Sequence, residues 1–306
     1  MDRRPPLFTP AFLGIALAEL AYFAVGGIEL PVAPGFAAEI LRADPAGVGL
    51  AVGAFGASAL ALRPFVGGLA DRSGRRKLMV AGAFAYAVIT AAHIAAPSLA
   101  VMVVLRLLLG VAEAFFFVAS LAAVADLAPA SRRGEAMSYS SLSLYLGVAF
   151  GPLLGDWLVR VGAYPAAWAG AAALAAIAGL VAIRIPETGH PDRGAEVPTR
   201  LLHPAALLPG AAIAAMVGPM AAFLAFVRFQ AKDVGIAEPG PVLLVFGLVV
   251  VACRLVFARL PDRVEPTVLA RAGLLSGPSD SSSPRRSPRR SGSSSARSSS
   301  AAASRS

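Results

Sequence analysis

The chain has 306 residues, of which 57% are apolar and 15% charged, with a mean hydropathy of +0.70 and a formal net charge of +9. These proportions exclude an ordinary soluble domain, whose core cannot use so much apolar surface without long unbroken runs, and runs of bilayer length are what the sequence contains. The charge excludes less than it suggests, because residues 277–306 hold six arginines against one aspartate; the remainder is mildly basic and does not indicate a nucleic-acid partner.

In chain order, the apolar runs predict eight spans, at about 11–33, 48–69, 78–96, 99–122, 137–158, 165–184, 205–227 and 241–260. All are expected to be helices, because lipid leaves no water to satisfy an open backbone. The first run is too long for a signal peptide and carries Glu19 and Glu29. Between the sixth and seventh spans lies the longest polar stretch, Arg184 to His203, with Pro186, Pro191 and Pro198, which reads as a linker. With the N-terminus inside, thirteen cations fall on the inner side (among them Arg72, Arg75, Arg76, Lys77, Arg132, Arg133 and Arg184). Only Arg42, Arg160, Arg228 and Lys232 fall outside. That bias places the N-terminus, and the tail after eight spans, in the cytoplasm. The single cysteine, Cys253, excludes an internal disulfide, and two lysines against 25 arginines suit a GC-rich, bacterial gene.

An internal repeat organises these spans. Arg63, Leu69, Asp71 and Arg72 recur as Arg254, Leu260, Asp262 and Arg263 at one offset of 191 residues, which also pairs Phe55-Gly56 with Phe246-Gly247. The chain therefore divides into a six-helix half (1–185), a linker (186–204), a partial second half (205–276) and a Ser/Arg-rich tail (277–306).

Several segments resemble the major facilitator superfamily. Gly67-Gly-Leu-Ala-Asp71-Arg72-Ser-Gly74-Arg75-Arg76-Lys77 is similar to that family's signature loop between its second and third helices; Gly67 and Gly74 there permit tight backbone approach and turning, and Asp71 can cap or meet a neighbouring helix end. Arg106-Leu-Leu-Leu-Gly110 is similar to its intramembrane arginine motif, with Leu109 where glutamine is often found. Gly147-Val-Ala-Phe-Gly151-Pro152-Leu-Leu-Gly155-Asp156 resembles the antiporter motif of its proton-linked drug exporters, with Asp156 in place of the last glycine. Pro31-Val-Ala-Pro34, which closes the first span, and Pro186-Glu187-Thr188, after the sixth, are weaker likenesses. The resemblance implies an all-α polytopic membrane protein of about eight transmembrane helices. It further implies a secondary transporter exporting a small amphipathic or drug-like compound by alternating access, with its site near the midplane and a proton gradient as energy source. An uptake symporter and a non-transporting fragment or scaffold are the alternatives.

The residues expected to carry coupling and binding are Arg106, Glu113 and Glu19, since charges within a membrane span usually face a cavity or a partner. Glu113 stands two turns from Arg106 on nearly the same face, and Glu19 has Tyr22 and Phe23 one turn on. Glu19 could also serve as the partner of Arg106. Glu29, close to the outer end, simply reaches water, and His93 reads as a solvated or hydrogen-bonded group. Arg63, repeated at Arg254, suggests a shared structural contact. No residues have metal-ligand spacing and no phosphate-binding glycine loop occurs, so neither an enzyme, a metal nor another cofactor is expected. Lipid, protons and a small molecule are the expected partners, with no obligate protein partner. A ninth helix begins at Val268 and breaks off at Ser276. The tail beyond it cannot bury enough apolar surface to fold and fits a shifted reading frame.

Overall fold

The computed structural model describes residues 6–189 and 240–265, with positions 210, 211, 215, 268, 269, 271 and 272. Helix α1 spans Pro10–Gly35, α2 Pro45–Ser73, α3 Arg75–Ala92 and α4 Leu99–Leu127. The helix Arg133–Ile183 is broken at Gly162 and Ala163 into α5 (133–161) and α6 (164–183), and α7 spans Gly240–Val256. The expected seventh span (apart from positions 210, 211 and 215), most of the linker and the tail lie outside the described residues. Among the described residues no strand occurs, and each of the helices from α1 to α4 is long and apolar enough to cross a membrane, as is the combined α5–α6.

The helix starts follow from local sequence. Thr9 and Asp44 precede Pro10 and Pro45, so each supplies a side-chain oxygen to the first turn ahead of a proline that needs no donor. Phe12 N–H donates to Thr9 Oγ1 at 3.2 Å, and Gly47 N–H to Asp44 Oδ1 at 2.8 Å. The α5–α6 break sits between the fifth and sixth expected spans; Ala163 adopts φ +56°, and Pro165 opens the next limb. The first span was expected to close at Pro31-Val-Ala-Pro34, yet α1 passes both prolines and ends in a π-helical turn, Phe36–Ile40. The missing donors cost local bonds, but packing continues beyond them: Val32, Ala33, Phe36 and Ala37 are all buried.

Four contacts assemble the first six helices, α1 against α5, α2 against α4, and α3 against both α4 and α6, and α7 packs on α5. The α1–α5 seam is the tightest. Gly151 lies so close to α1 that a Cβ there would stand 2.5 Å from Gly27 Cα, and one on Gly147 would stand 2.6 Å from Ala24 N. Gly155 follows against Ile28. The glycines of the antiporter-like segment are therefore a backbone-to-backbone packing surface, with Pro152 buried among them. Elsewhere the surface is apolar, with Val88 at 70% and Leu60 at 69% exposure, as lipid contact requires.

Gly151→Val should destabilise the purified protein by about 3 kcal/mol or more, because α1 backbone occupies the space. Gly49→Val, on an α2 face with nothing within 4 Å, should change stability by under about 0.5 kcal/mol. Thermal unfolding in detergent compares the two; equal midpoints would remove the close seam from the account.

Candidate functional site

Within the expected spans, the described residues include three buried carboxylates, each solved differently. Glu29 on α1 and Arg106 on α4 are 3% and 4% exposed, and Arg106 Nη1 donates to Glu29 Oε2 at 2.6 Å. Tyr86 Oη donates to the same oxygen at 2.9 Å and Thr90 Oγ1 to Oε1 at 3.3 Å, both from α3. Arg106 Nε donates to the Ala51 carbonyl of α2 at 3.3 Å, and its guanidinium lies 4.9 Å from the centre of the Phe55 ring. One buried ion pair thus ties four helices. The expectation that Glu29 reaches water is overturned: α1 runs on past it, and three donors from α3 and α4 surround it.

Glu113 is nearly buried on α4, but its partner is Arg63 of α2, not Arg106; Arg63 Nη2 donates to Glu113 Oε1 at 2.9 Å. Arg63 lies over the Phe117 ring at 4.6 Å, and its counterpart Arg254 lies over Tyr145 at 5.4 Å. The contact repeated in the two arginines is thus a cation over an aromatic face. Glu19, 1% exposed, accepts a 2.6 Å hydrogen bond from Ser140 Oγ of α5, and no cation pairs with it among the described residues. By helical rise, Glu19 and Glu29 lie about 15 Å apart along α1, and Glu113 about 10 Å from Arg106 along α4. The polar groups form a column through an otherwise apolar bundle. Cavities of about 220 Å³ (beside Glu39 and Tyr164) and about 570 Å³ (beside Thr9 and Arg184) lie at its two ends, away from this column.

The end carrying Arg72–Lys77 holds a second network. Gly74 has φ +92°, a region that favours glycine, and turns the chain from α2 into α3. Glu187, from the Pro-Glu-Thr segment after α6, accepts the N–H of Arg75 at 2.6 Å and of Arg76 at 3.3 Å, and so caps α3. Arg75 pairs with Asp71 at 2.7 Å and approaches Asp126 at 3.3 Å. Asp71 was expected to cap or meet a neighbouring helix end; it is 66% exposed and its ion pair is local. Its repeat does cap: Asp262 accepts the N–H of Gly134 at 2.7 Å and of Glu135 at 2.8 Å, at the start of α5. Glu135 also takes Arg132 at 2.7 Å and Arg259 at 3.1 Å. Arg72 and Arg263 are exposed, and Gly67 has nothing within 4 Å of an added Cβ, so the tight approach expected there is absent among the described residues.

Sequence reading missed Tyr86, Thr90 and Ser140. Tyr86 and Thr90 stand one turn apart on α3, and Ser138, Ser140, Ser141 and Ser143 form a polar run inside a span. Either pattern could have flagged a buried face. His93 is fully buried, donates from Nδ1 to the Ile89 carbonyl (2.9 Å) and stacks on Trp168 at 4.4 Å, so it is hydrogen-bonded but not solvated.

Replacing Arg106 by Leu should cost about 3–5 kcal/mol, since it leaves Glu29 buried and unpaired. The double variant Arg106→Leu/Glu29→Leu should recover most of that loss in thermal unfolding. Additive losses would contradict a buried pair.

Comparison with known proteins agrees with this architecture. The family model described as "Major Facilitator Superfamily" matches residues 12–277. Multidrug resistance protein 2 of Bacillus subtilis (strain 168) is 32% identical over 152 residues, covering 50% of this chain and 35% of that protein. Multidrug resistance protein 1 of the same organism is 30% identical over 179 residues, covering 58% and 43%. The chain thus spans less than half the length of these relatives. Among solved structures, the human organic anion transporter MFSD10 superposes with a TM-score of 0.67 at 22% identity, over 86% of this chain and 74% of that one, a likeness of fold.

Proposed function

The chain belongs to the major facilitator superfamily and is a multi-pass membrane protein; on that premise we propose that it takes part in proton-coupled export of a small amphipathic compound. The observation that carries this reading is Glu19. Of the three interior carboxylates it is the one with no cation among the described residues, so its proton can come and go without breaking an ion pair. The buried Arg106–Glu29 pair would be costly to open, and it serves here to fix α1, α2, α3 and α4 relative to one another.

In this scheme Glu19 takes a proton while the site faces outside and releases it while the site faces inside. Ser140 holds the carboxylate in place through the exchange. The substrate enters from the inner side and leaves outward as the proton returns. The end carrying Arg72–Lys77 is assigned to the cytoplasm of a bacterial cell, on the cation bias of the loops. The glycine seam between α1 and α5 keeps Glu19 next to Ser140 and belongs to the segment that resembles the antiporter motif. Kinship with two proteins named for multidrug resistance favours a drug-like substrate.

Energised cells producing the chain should retain less of a fluorescent amphipathic dye than control cells, and a protonophore should restore retention. Glu19→Gln should reduce efflux at least about tenfold while leaving membrane insertion intact. Normal dye retention in cells with well-inserted protein, or efflux indifferent to the protonophore, would refute the proposal.

A further inference from the structure

The Arg63–Glu113 pair has no part in the scheme above, and its geometry is unusual for two charges inside a bundle. An arginine and a carboxylate commonly meet through two parallel hydrogen bonds. Here only Nη2 and Oε1 are joined, at 2.9 Å. Arg63 Nε and Glu113 Oε2 are each buried without a hydrogen-bond partner among the described residues, and so is the hydroxyl of Tyr22. Glu113 and Tyr22 are 8% and 3% exposed, whereas the Arg63 side chain is 41% open. The surroundings are aromatic: Phe117 lies under the guanidinium, Phe23 meets Phe117 edge-on at 6.0 Å, and Phe116 stacks on Tyr22 at 3.9 Å.

We infer that this half-satisfied pair, between α1, α2 and α4, is a charge-balanced recognition site for aromatic zwitterions. The inference rests on the transport reading for its purpose, though not for the binding itself. A ligand with one positive charge takes Glu113 and leaves Arg63 unpaired against a phenyl face. A ligand with one negative charge takes Arg63 and leaves Glu113 buried and alone. Either way one charge loses its partner, and for Glu113 that loss falls in a nearly buried place, where it is strongly unfavourable. A ligand carrying an ammonium and a carboxylate close together parts the single Nη2–Oε1 contact, meets Glu113 with the first and the open end of the Arg63 guanidinium with the second, and leaves neither stranded. Its aromatic body lies against Phe117 and Phe23. The site therefore discriminates by what it would leave unpaired, more than by what it gains.

Three fluorescent ligands with one aromatic body separate these cases: Nε-dansyl-lysine carries both charges, dansylcadaverine the ammonium alone and dansylglycine the carboxylate alone. Titrated into the purified full chain in nanodiscs, the zwitterion should bind at least about tenfold more tightly than either of the others. Glu113→Gln should move the preference to dansylglycine, and Arg63→Gln should move it to dansylcadaverine. A purely structural ion pair would not produce that opposite exchange. Equal affinities for the three ligands, or an unchanged order in both variants, would overturn the inference. Helicity by circular dichroism shows which variants fold; should one fail to, the wild-type order and the other variant still decide. Charge-selective binding without efflux in cells would refute the transport reading and leave this site standing. Efflux without charge selectivity would do the reverse.

Discussion

The arrangement of helices α1 to α4 depends on one ion pair that cannot reach water. An arginine placed in an apolar helix must find a carboxylate and further hydrogen bonds or it destabilises the whole assembly. Arg106 finds Glu29 across the bundle, and each of the two is held from a third helix, Glu29 by Tyr86 and Thr90 of α3, Arg106 by the Ala51 carbonyl of α2. Because every one of those contacts has a fixed partner on another helix, the rotation and depth of α1, α2, α3 and α4 are set together. The apolar packing around them has no comparable directionality, since lipid tails compete equally for leucine and valine.

Given that frame, the remaining polar groups acquire distinct environments. The glycine surface of α5 lets α1 approach so closely that Ser140 reaches Glu19 and Ser143 reaches the Ala16 carbonyl at 2.8 Å. On the other side of the column, α2 brings Arg63 over Phe117 and against Glu113. At the basic end, carboxylates do the joining: Glu187 ties the exit of α6 to the start of α3, and Asp262 ties the turn after α7 to the start of α5. The repeated aspartates have diverged in use, with Asp71 bound locally to Arg75 and Asp262 bound across the bundle.

Much of this was legible in the residues, for reasons that differ by feature. Helices α1 to α6 follow from apolar runs of bilayer length, and their turns from Thr9-Pro10, Asp44-Pro45 and Gly162-Ala163-Tyr164-Pro165, all of which are local signals. The 191-residue repeat pointed to equivalent contacts for Arg63 and Arg254, and both do lie over aromatic rings. Partner choice was not legible. Spacing along α4 suggested Glu113 for Arg106, and Glu19 of α1 stood as another candidate, but the pairing is decided by how four helices rotate against each other, which periodicity in one helix does not encode. Glu29 was discounted because its position in the span placed it near water. Continuation of α1 through Pro31 and Pro34 buried it.

The central claim, that this polar column couples a small molecule to protons, is tested most directly by following protons. Purified protein is reconstituted into liposomes with an acidic lumen and a pH-sensitive dye inside. The account predicts that adding substrate outside accelerates collapse of the pH gradient, and that Glu19→Gln removes the acceleration while leaving the passive leak unchanged. A gradient that decays at the same rate with and without substrate, in liposomes shown to contain folded protein that binds it, would contradict proton coupling.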